Sequence, residues 1–476
     1  MTVLASLLAE RAETGGVFVR DPAGTHVVDY RTLADRAAAW RRALTAAGVP
    51  AGARIACRVG DPVGYAELFV ALLAAGARVV PLDPAAPDES VRRVCATARP
   101  ALLVTDSPDA PTGIPVVRLG SGDALPAPAD GCAVDESGGA LLFSSGTTGA
   151  PKGVPLDTGM LLAAARNVAD ALELSTVDRC FCPLPTHHVN AQVVAILGTL
   201  TAGAQVVLAD RFHRTGFWRT VDDSGATWIN AVPAIVAILA GDQTQAPTDT
   251  RIRLVRTGSA PLPAAVRDRF EDRFGIPVIE TYGMTEAASQ ITANPVRGPR
   301  PLGSAGRPVG VDLVVRNDDG TECGIGEIGR VHIRGASVIH RYLDDRNADR
   351  FDANGFLDTG DLGRLDADGF LYLAGRVDDV INRGGQKILP RVVEEVLRAA
   401  DGVADAAVVG RPDEVLGEVP VALVVAAPGV RLDVDALLAR CREHLPRYQI
   451  PVQIRLLAEI PRSSTGKLRG TELAGV

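Results

Sequence analysis

The sequence predicts an α/β protein of two domains: a large N-terminal domain of layered α/β units that ends in a more β-rich portion, then a small α+β C-terminal domain. Three observations predict it. Helical and short apolar strand patterns alternate from the N-terminus to the region of Phe370. The pattern turns towards β after Gly303, and a separate compact α+β pattern follows Asp379.

The elements justify this in order. An apolar helix over Gly64–Ala75 runs into the strand Arg78-Val79-Val80-Pro81, and Leu200–Gly203 leads into Gln205-Val206-Val207-Leu208. Ile252–Arg256 reads as a further strand. Apolar strands alternating with helices are the signature of α/β layers with much parallel sheet. The Pro/Gly/Asp-rich stretches Asp106–Pro115 and Gly120–Gly131 read as surface loops. Beyond Gly303, Glu327–Arg334 alternates as a strand, and Asp366-Ala367-Asp368-Gly369 is a turn signal before Phe370–Leu373. The C-terminal pattern is a helix over Arg391–Ala400, strands over Ala406–Val409 and Val421–Val425, a helix over Val434–His444 and a strand near Val452–Leu457. The predicted domains are 1–375 and 380–476, joined at 376–379.

Composition narrows the function classes. The chain of 476 residues is 47% hydrophobic and 22% charged, ordinary for a globular protein with a sizeable core. A net charge of −8 gives no electrostatic ground for nucleic acid or an anionic membrane as partner. The seven cysteines are scattered, and even Cys180 and Cys182 match no common zinc spacing, so reduced thiols are expected. The most apolar stretch, Leu68–Pro81, is interrupted by Arg78 and too short to span a bilayer. Met1–Ala5 lacks the basic stretch of a signal peptide, and Ala474-Gly475-Val476 is not a peroxisomal tripeptide, so a cytoplasmic location is expected. Of the 49 lysines and arginines, only Lys152, Lys387 and Lys467 are lysine. In a chain this biased to arginine, the lysines mark places where a compact ammonium is needed.

The strongest local signal runs Leu141-Leu142-Phe143-Ser144-Ser145-Gly146-Thr147-Thr148-Gly149-Ala150-Pro151-Lys152-Gly153. An apolar strand enters a loop of hydroxyls and glycines that ends in a cation. Glycines allow close backbone approach, and hydroxyls and N–H groups donate to an anion, so the segment has the chemistry of a phosphate-gripping loop. It is not the G-x-x-x-x-G-K-[ST] loop of kinases and related NTPases, because Gly153 follows Lys152.

This segment resembles the phosphate-binding signature of the adenylate-forming (AMP-binding) superfamily, with Ser144 where threonine is more usual. Further segments of that superfamily follow in order. Glu280-Thr281-Tyr282-Gly283-Met284-Thr285-Glu286 resembles its adenine- and metal-binding stretch, and Gly258, Ser259 and Ala260 are further candidate ATP-binding residues. The resemblance gives Thr285 to phosphate and Glu286 to Mg²⁺, a plausible hard-cation ligand beside a triphosphate. Gly355–Asp361 is similar to the ribose segment, with Asp361 accepting both hydroxyls and Arg376 assisting, and Asp378 resembles the hinge residue. Pro461–Lys467 resembles the C-terminal motif whose lysine, here Lys467, bridges the attacking carboxylate and the α-phosphate. Asn382 precedes Arg383-Gly384-Gly385-Gln386-Lys387, which resembles the segment that faces coenzyme A in the second half-reaction. The resemblance implies an acyl-CoA synthetase that uses ATP, Mg²⁺ and coenzyme A, with a β-barrel-like portion in the large domain and a mobile small domain.

Leu184-Pro185-Thr186-His187-His188-Val189-Asn190 resembles the family's aromatic/His gate, with His188 as the histidine and with Thr186 and His187 departing from the usual pair. The expected acid pocket comprises His188, Asn190, Val232, Gly258 and Gly283, small or apolar walls suited to an uncharged acyl or aryl chain. No aspartate stands in the gate segment to hold an α-amine, so a non-amino-acid substrate is expected. Three alternatives stay open at this level: a carrier protein in trans as acceptor, a ligase running only one half-reaction, and a non-catalytic nucleotide-binding protein.

Overall fold

The computed structural model describes residues 2–107, 113–120, 124–144, 152–241 and 250–461. The chain forms two compact units, Met1–Asp312 with Ile333–Leu357, and Leu313–His332 with Asp358–Val476.

The first unit is built on two sheets. A nine-stranded sheet has the order Arg307–Pro308, Thr292–Ala293, Val278–Tyr282, Leu254–Thr257, Trp228–Ala231, Arg179–Cys182, Gln205–Leu208, Val17–Arg20, Val27–Asp29. Its central strands, Val278–Tyr282 through Gln205–Leu208, all run parallel. They are short and apolar on both faces, as parallel strands covered on both sides must be. Even Arg256 is buried, at 2% exposure. A six-stranded sheet has the order Val116–Arg118, Leu102–Thr105, Arg54–Arg58, Arg78–Pro81, Gly139–Ser144, Lys152–Asp157. The helix beside it, Pro62–Ala74, starts at Asp61, whose carboxylate accepts from the Gly64 N–H, and has proline in its first turn. All but one of the residues from Val63 to Ala74 are buried, which is why this helix lacks a polar face.

The second unit carries a four-stranded sheet in the order Asp312–Arg316, Gly329–Arg334, Leu357–Leu365, Leu371–Arg376; this is the portion expected to be barrel-like. It also carries a C-terminal sheet in which the long hairpin Val403–Asp413/Gly417–Ala426 is flanked by Ile381–Arg383 and, in parallel, by Gln453–Leu457. The helices Pro390–Arg398 and Val434–His444 cover this sheet. Val393, Leu397, Leu437 and Cys441 point into a core with Ala406, Val408, Ala422 and Val424. The predicted elements agree with the observed ones to within a few residues at their ends. The exceptions are the hairpin strands, which extend well past Ala406–Val409 and Val421–Val425, and Asn190–Leu197, a π-helical segment that periodicity did not reveal. No helix among the described residues is long and apolar enough to cross a membrane, and the seven cysteines are free.

Candidate active site

Four of the motif-bearing loops leave the same edge of the nine-stranded sheet. Arg179–Cys182 ends before the gate segment, Trp228–Ala231 ends before Val232, Leu254–Thr257 before Gly258, and Val278–Tyr282 before Gly283. All four strands are parallel, so these loops gather outside their carboxyl ends, where open α/β sheets place their ligands.

At Gly283 the chain turns back on itself so tightly that a Cβ would lie 1.4 Å from the Ser289 carbonyl oxygen; only glycine fits. Ala288 and Ser289 are held at positive φ, 48° and 96°, a strained conformation of the kind that clusters at functional sites. Inside this loop Thr285–Ala287 makes one 3₁₀ turn that buries Glu286 to 7% exposure. The Tyr342 hydroxyl donates to Glu286 Oε1 at 3.0 Å and accepts from Arg350 Nη1 at 2.6 Å, while Arg350 Nη1 itself lies 3.8 Å from that carboxylate oxygen. This charged relay fixes where the carboxylate points. Backbone bonds extend the tie: Ile339 N–H donates to Glu286 O and Leu343 N–H to Gly153 O, both at 2.9 Å. The segment 339–343 therefore joins Glu286 to the base of the phosphate-loop hairpin, where Ser144 stands opposite Lys152. Ser145, Gly146, Thr147, Thr148 and Gly149 lie outside the described residues, as does Lys467. Of the other nucleotide residues, Glu280 is 3.6 Å from Arg267, Thr281 donates to Thr257 O at 3.0 Å, and Tyr282 is buried. Met284 and Thr285 are half-buried, Ser259 has φ +74°, and Ala260 follows it on the same loop.

The gate holds two adjacent imidazoles, His187 and His188, with ring centres 4.3 Å apart and planes tilted by 48°. Burial, followed by the neighbouring His187, pushes His188 down to about 4, so its ring is neutral at physiological pH. The sequence reading saw no aspartate here, but the fold brings Asp83 from another strand end to 4.0 Å from His187 Nε2. A histidine whose folded pKa lies below its unfolded value contributes stability that is full above the unfolded pKa of 6.5 and is lost as pH falls towards 4. Integrated from pH 7 to pH 5, this amounts to about 2 kcal/mol from His188 alone. Urea unfolding of the wild type and His188→Gln at both pH values should show the variant losing about 2 kcal/mol less on acidification. Equal losses would remove His188 as a source of acid sensitivity.

Asn190 begins the π-helical segment, a geometry found often at functional sites. Its Oδ1 accepts from Arg256 Nη1 and Asn230 Nδ2, each at 3.0 Å, and its Nδ2 donates to Ser259 Oγ at 3.2 Å. Arg256 Nη1 also reaches Asn230 Oδ1 at 3.2 Å. Burial lowers the Arg256 guanidinium to about 10, so it still carries its charge at neutral pH. Asn190, expected beside small and apolar groups, is thus bonded to a buried cation that the sequence reading missed. Val232 is half-buried, and its carbonyl starts the helix Pro233–Gly241.

The second unit holds the other motif residues. Asp361 lies directly opposite Arg376 across an antiparallel pair, with Nη1 3.8 Å from Oδ1. The Asp361 N–H bonds to Thr359 Oγ1 at 3.1 Å. Asp378 is exposed on the 3₁₀ turn Val377–Asp379. Gly384 and Gly385, at φ 58° and 84°, form the two-residue turn joining Ile381–Arg383 to Gln386–Ile388. Arg383 donates to the Tyr448 carbonyl at 2.8 Å, Gln386 is exposed, and exposed Lys387 pairs with Asp318 at 2.9 Å.

The chain belongs to the AMP-binding enzyme family, whose model matches residues 10–343, with the AMP-binding enzyme C-terminal domain matching residues 392–467. It is 35% identical to the sulfoacetate–CoA ligase of Cupriavidus necator over 99% of this chain and 97% of that one. Among solved structures, ATP-bound MatB from Rhodopseudomonas palustris superposes with a TM-score of 0.88 at 26% identity, covering 99% of this chain and 98% of that one. The o-succinylbenzoate coenzyme A synthetase of Bacillus subtilis, in complex with ATP and magnesium ion, gives 0.84 at 27% identity over 98% of each chain.

Proposed function

We propose that the chain is an acyl-CoA synthetase, which converts a carboxylic acid and ATP to acyl-AMP and pyrophosphate and then passes the acyl group to the sulfur of coenzyme A, releasing AMP. The observation that carries this is the gathering of the gate, Val232, Gly258–Ala260 and Gly283–Glu286 at one carboxyl edge, with Glu286 fixed by Tyr342 and Arg350 and tied to the phosphate-loop hairpin.

Each residue then has a role. Lys152 and the loop from Ser144 to Gly149 grip phosphates, and Thr285 adds a hydroxyl donor. Glu280–Met284 and Gly258–Ala260 flank the adenine and α-phosphate, and Asp361 takes the ribose hydroxyls beside Arg376. Lys467 stabilises the charge that develops as the acid's carboxylate attacks the α-phosphate. Half-buried, neutral His188 closes the acid side and keeps water from the adenylate. A single buried carboxylate fits Mg²⁺, which takes one or two protein carboxylates and completes its shell with phosphate and water oxygens. Among the described residues no cluster of three or more His, Cys, Asp or Glu offers an all-protein cage instead. Magnesium, when bound there, neutralises phosphate charge.

For the second step the small domain, 380–476, turns about Asp378, withdraws Lys467 and presents Arg383–Lys387 to coenzyme A. Gly385 tests this directly. A Cβ there meets nothing within 4 Å, but at φ +84° any side chain strains the turn, so thermal stability of Gly385→Val is measured beside its activity. The variant should slow thioester formation about tenfold or more while changing adenylate formation by about twofold at most. Equal loss in both steps would make the turn purely structural.

The acids named for two of the similar proteins, sulfoacetate and o-succinylbenzoate, carry a second acidic group, and the absence of aspartate from 184–190 favours a non-amino-acid substrate. Seven free thiols suit a cytoplasmic location. The deciding experiment is mass spectrometry of products from the protein, ATP, magnesium and a panel of carboxylic acids, with and without coenzyme A. Acyl-AMP that becomes acyl-CoA when the thiol is added supports the full reaction. Acyl-AMP that never becomes a thioester restricts the enzyme to the first half.

A further inference from the structure

Arg256 is 2% exposed, and its position is anomalous in three respects. It has no carboxylate partner among the described residues: its hydrogen bonds are to the neutral amides of Asn190 and Asn230, and the only groups bearing on its charge are the buried thiols of Cys182 and Cys180. Leaving a guanidinium buried and uncompensated is costly, and proteins normally pair or coordinate such charges. The contrast within this fold is plain. Arg54, similarly buried, gives the same Nε/Nη2 edge to both oxygens of Asp135 at 2.8 and 2.9 Å.

Second, both amide bonds of Arg256 use Nη1. Its Nε is buried without a partner, and Nη2 has none among the described residues. The vacant edge is the one that takes a carboxylate or sulfonate through two parallel bonds. Third, the loop passes that edge with a residue that has no side chain: a Cβ at Gly258 would stand 3.2 Å from Arg256 Nη2 and 2.7 Å from Thr281 Oγ1, so only glycine lets the backbone run beside the guanidinium. Asn190, linked to exposed Ser259, leads from the surface of the loop to the buried cation.

On the ligase reading above, we infer that the substrate is a small acid bearing a second anionic group, carboxylate or sulfonate, which Arg256 holds through Nε and Nη2 while the other carboxylate is adenylated. Asn190 and Asn230 are positioning residues that orient the guanidinium through Nη1. The rejected acid is one of the same shape with a neutral end, because it would leave the buried fork unpaired.

The test uses shape-matched pairs: malonate against 3-methylbutanoate, succinate against 4-methylpentanoate, and sulfoacetate against 3,3-dimethylbutanoate. Acyl-CoA formation is followed by mass spectrometry and kcat/KM by pyrophosphate release. The wild type should favour the charged member of at least one pair by about 100-fold or more. Arg256→Gln should lower kcat/KM for the charged member far more than for the neutral one and so abolish that preference, a change of specificity that a purely structural arginine would not produce. Should that variant fail to fold, Arg256→Lys, which keeps the charge and loses the fork, should still cut the preference. Neutral acids used as well as charged ones, or a preference that survives loss of Arg256, would overturn the assignment and leave the ligase standing. No acyl-AMP or thioester from any acid would overturn both.

Discussion

Lys467→Ala should lose adenylate formation by roughly 10²–10³-fold and still convert supplied acyl-AMP to the CoA thioester at near wild-type rate. The asymmetry follows from what each step demands. In the first, a carboxylate attacks an α-phosphate that is itself anionic, so a fixed ammonium between them stabilises charge that grows as the bond forms. In the second, a thiolate attacks a neutral acyl carbonyl and AMP departs, so the attack itself brings no anion onto an anionic phosphate. The measurement is paired: pyrophosphate release from ATP and acid, and thioester formation from synthetic acyl-AMP, on one preparation of the variant. Equal loss in both would mean that Lys467 supports the fold or serves both steps, and the exchange of the C-terminal domain about Asp378 would have to be abandoned. The bias of the chain sharpens the test. Arginine supplies all but three of the 49 lysines and arginines, so Lys467→Arg, which keeps the charge but replaces a compact ammonium with a planar fork, should also fail in the first step.

The sequence made the framework legible because the framework is local. Helix and strand patterns of eight or more residues, punctuated by turns such as Asp366–Gly369, state their structure in their own periodicity. The same holds for the phosphate segment and for Glu280–Glu286, where glycine and hydroxyl residues crowd together along the chain. What it could not express were contacts between segments far apart. Arg256 sits in Arg251-Ile252-Arg253-Leu254-Val255-Arg256, where alternation with arginine reads as a strand with a wet face. The strand is central and covered on both sides, so Leu254, Val255, Arg256 and Thr257 are all buried. Tyr342 and Arg350 lie more than fifty residues beyond Glu286, in a stretch with no motif of its own, and only the fold brings them to that carboxylate. Asp83 likewise reaches the gate from the other sheet. The common thread is that motifs recorded where a ligand touches backbone, whereas side chains that orient, charge or neutralise the site came from residues whose local sequence looks structural.

Glu286→Gln is the sharpest probe of that supporting layer. The amide keeps an oxygen to accept from the Tyr342 hydroxyl, now at 3.0 Å from the carboxylate, so the 3₁₀ turn and its packing are preserved. What disappears is a negative charge that Arg350, 3.8 Å away, otherwise partly balances. If Glu286 serves as the protein ligand of Mg²⁺, adenylate formation should fall roughly 10²-fold or more and the magnesium concentration for half-maximal rate should rise. Thioester formation from supplied acyl-AMP, which involves no triphosphate, should stay within about threefold of wild type. A purely structural carboxylate predicts the opposite pattern: loss of thermal stability, both half-reactions impaired alike, and no change in magnesium dependence. Tyr342→Phe separates the two further. It removes the hydroxyl that links Arg350 to Glu286 while leaving the carboxylate, so it should raise the magnesium requirement less than Glu286→Gln does. An equal effect would mean that the orientation of Glu286, more than its charge, limits the first step.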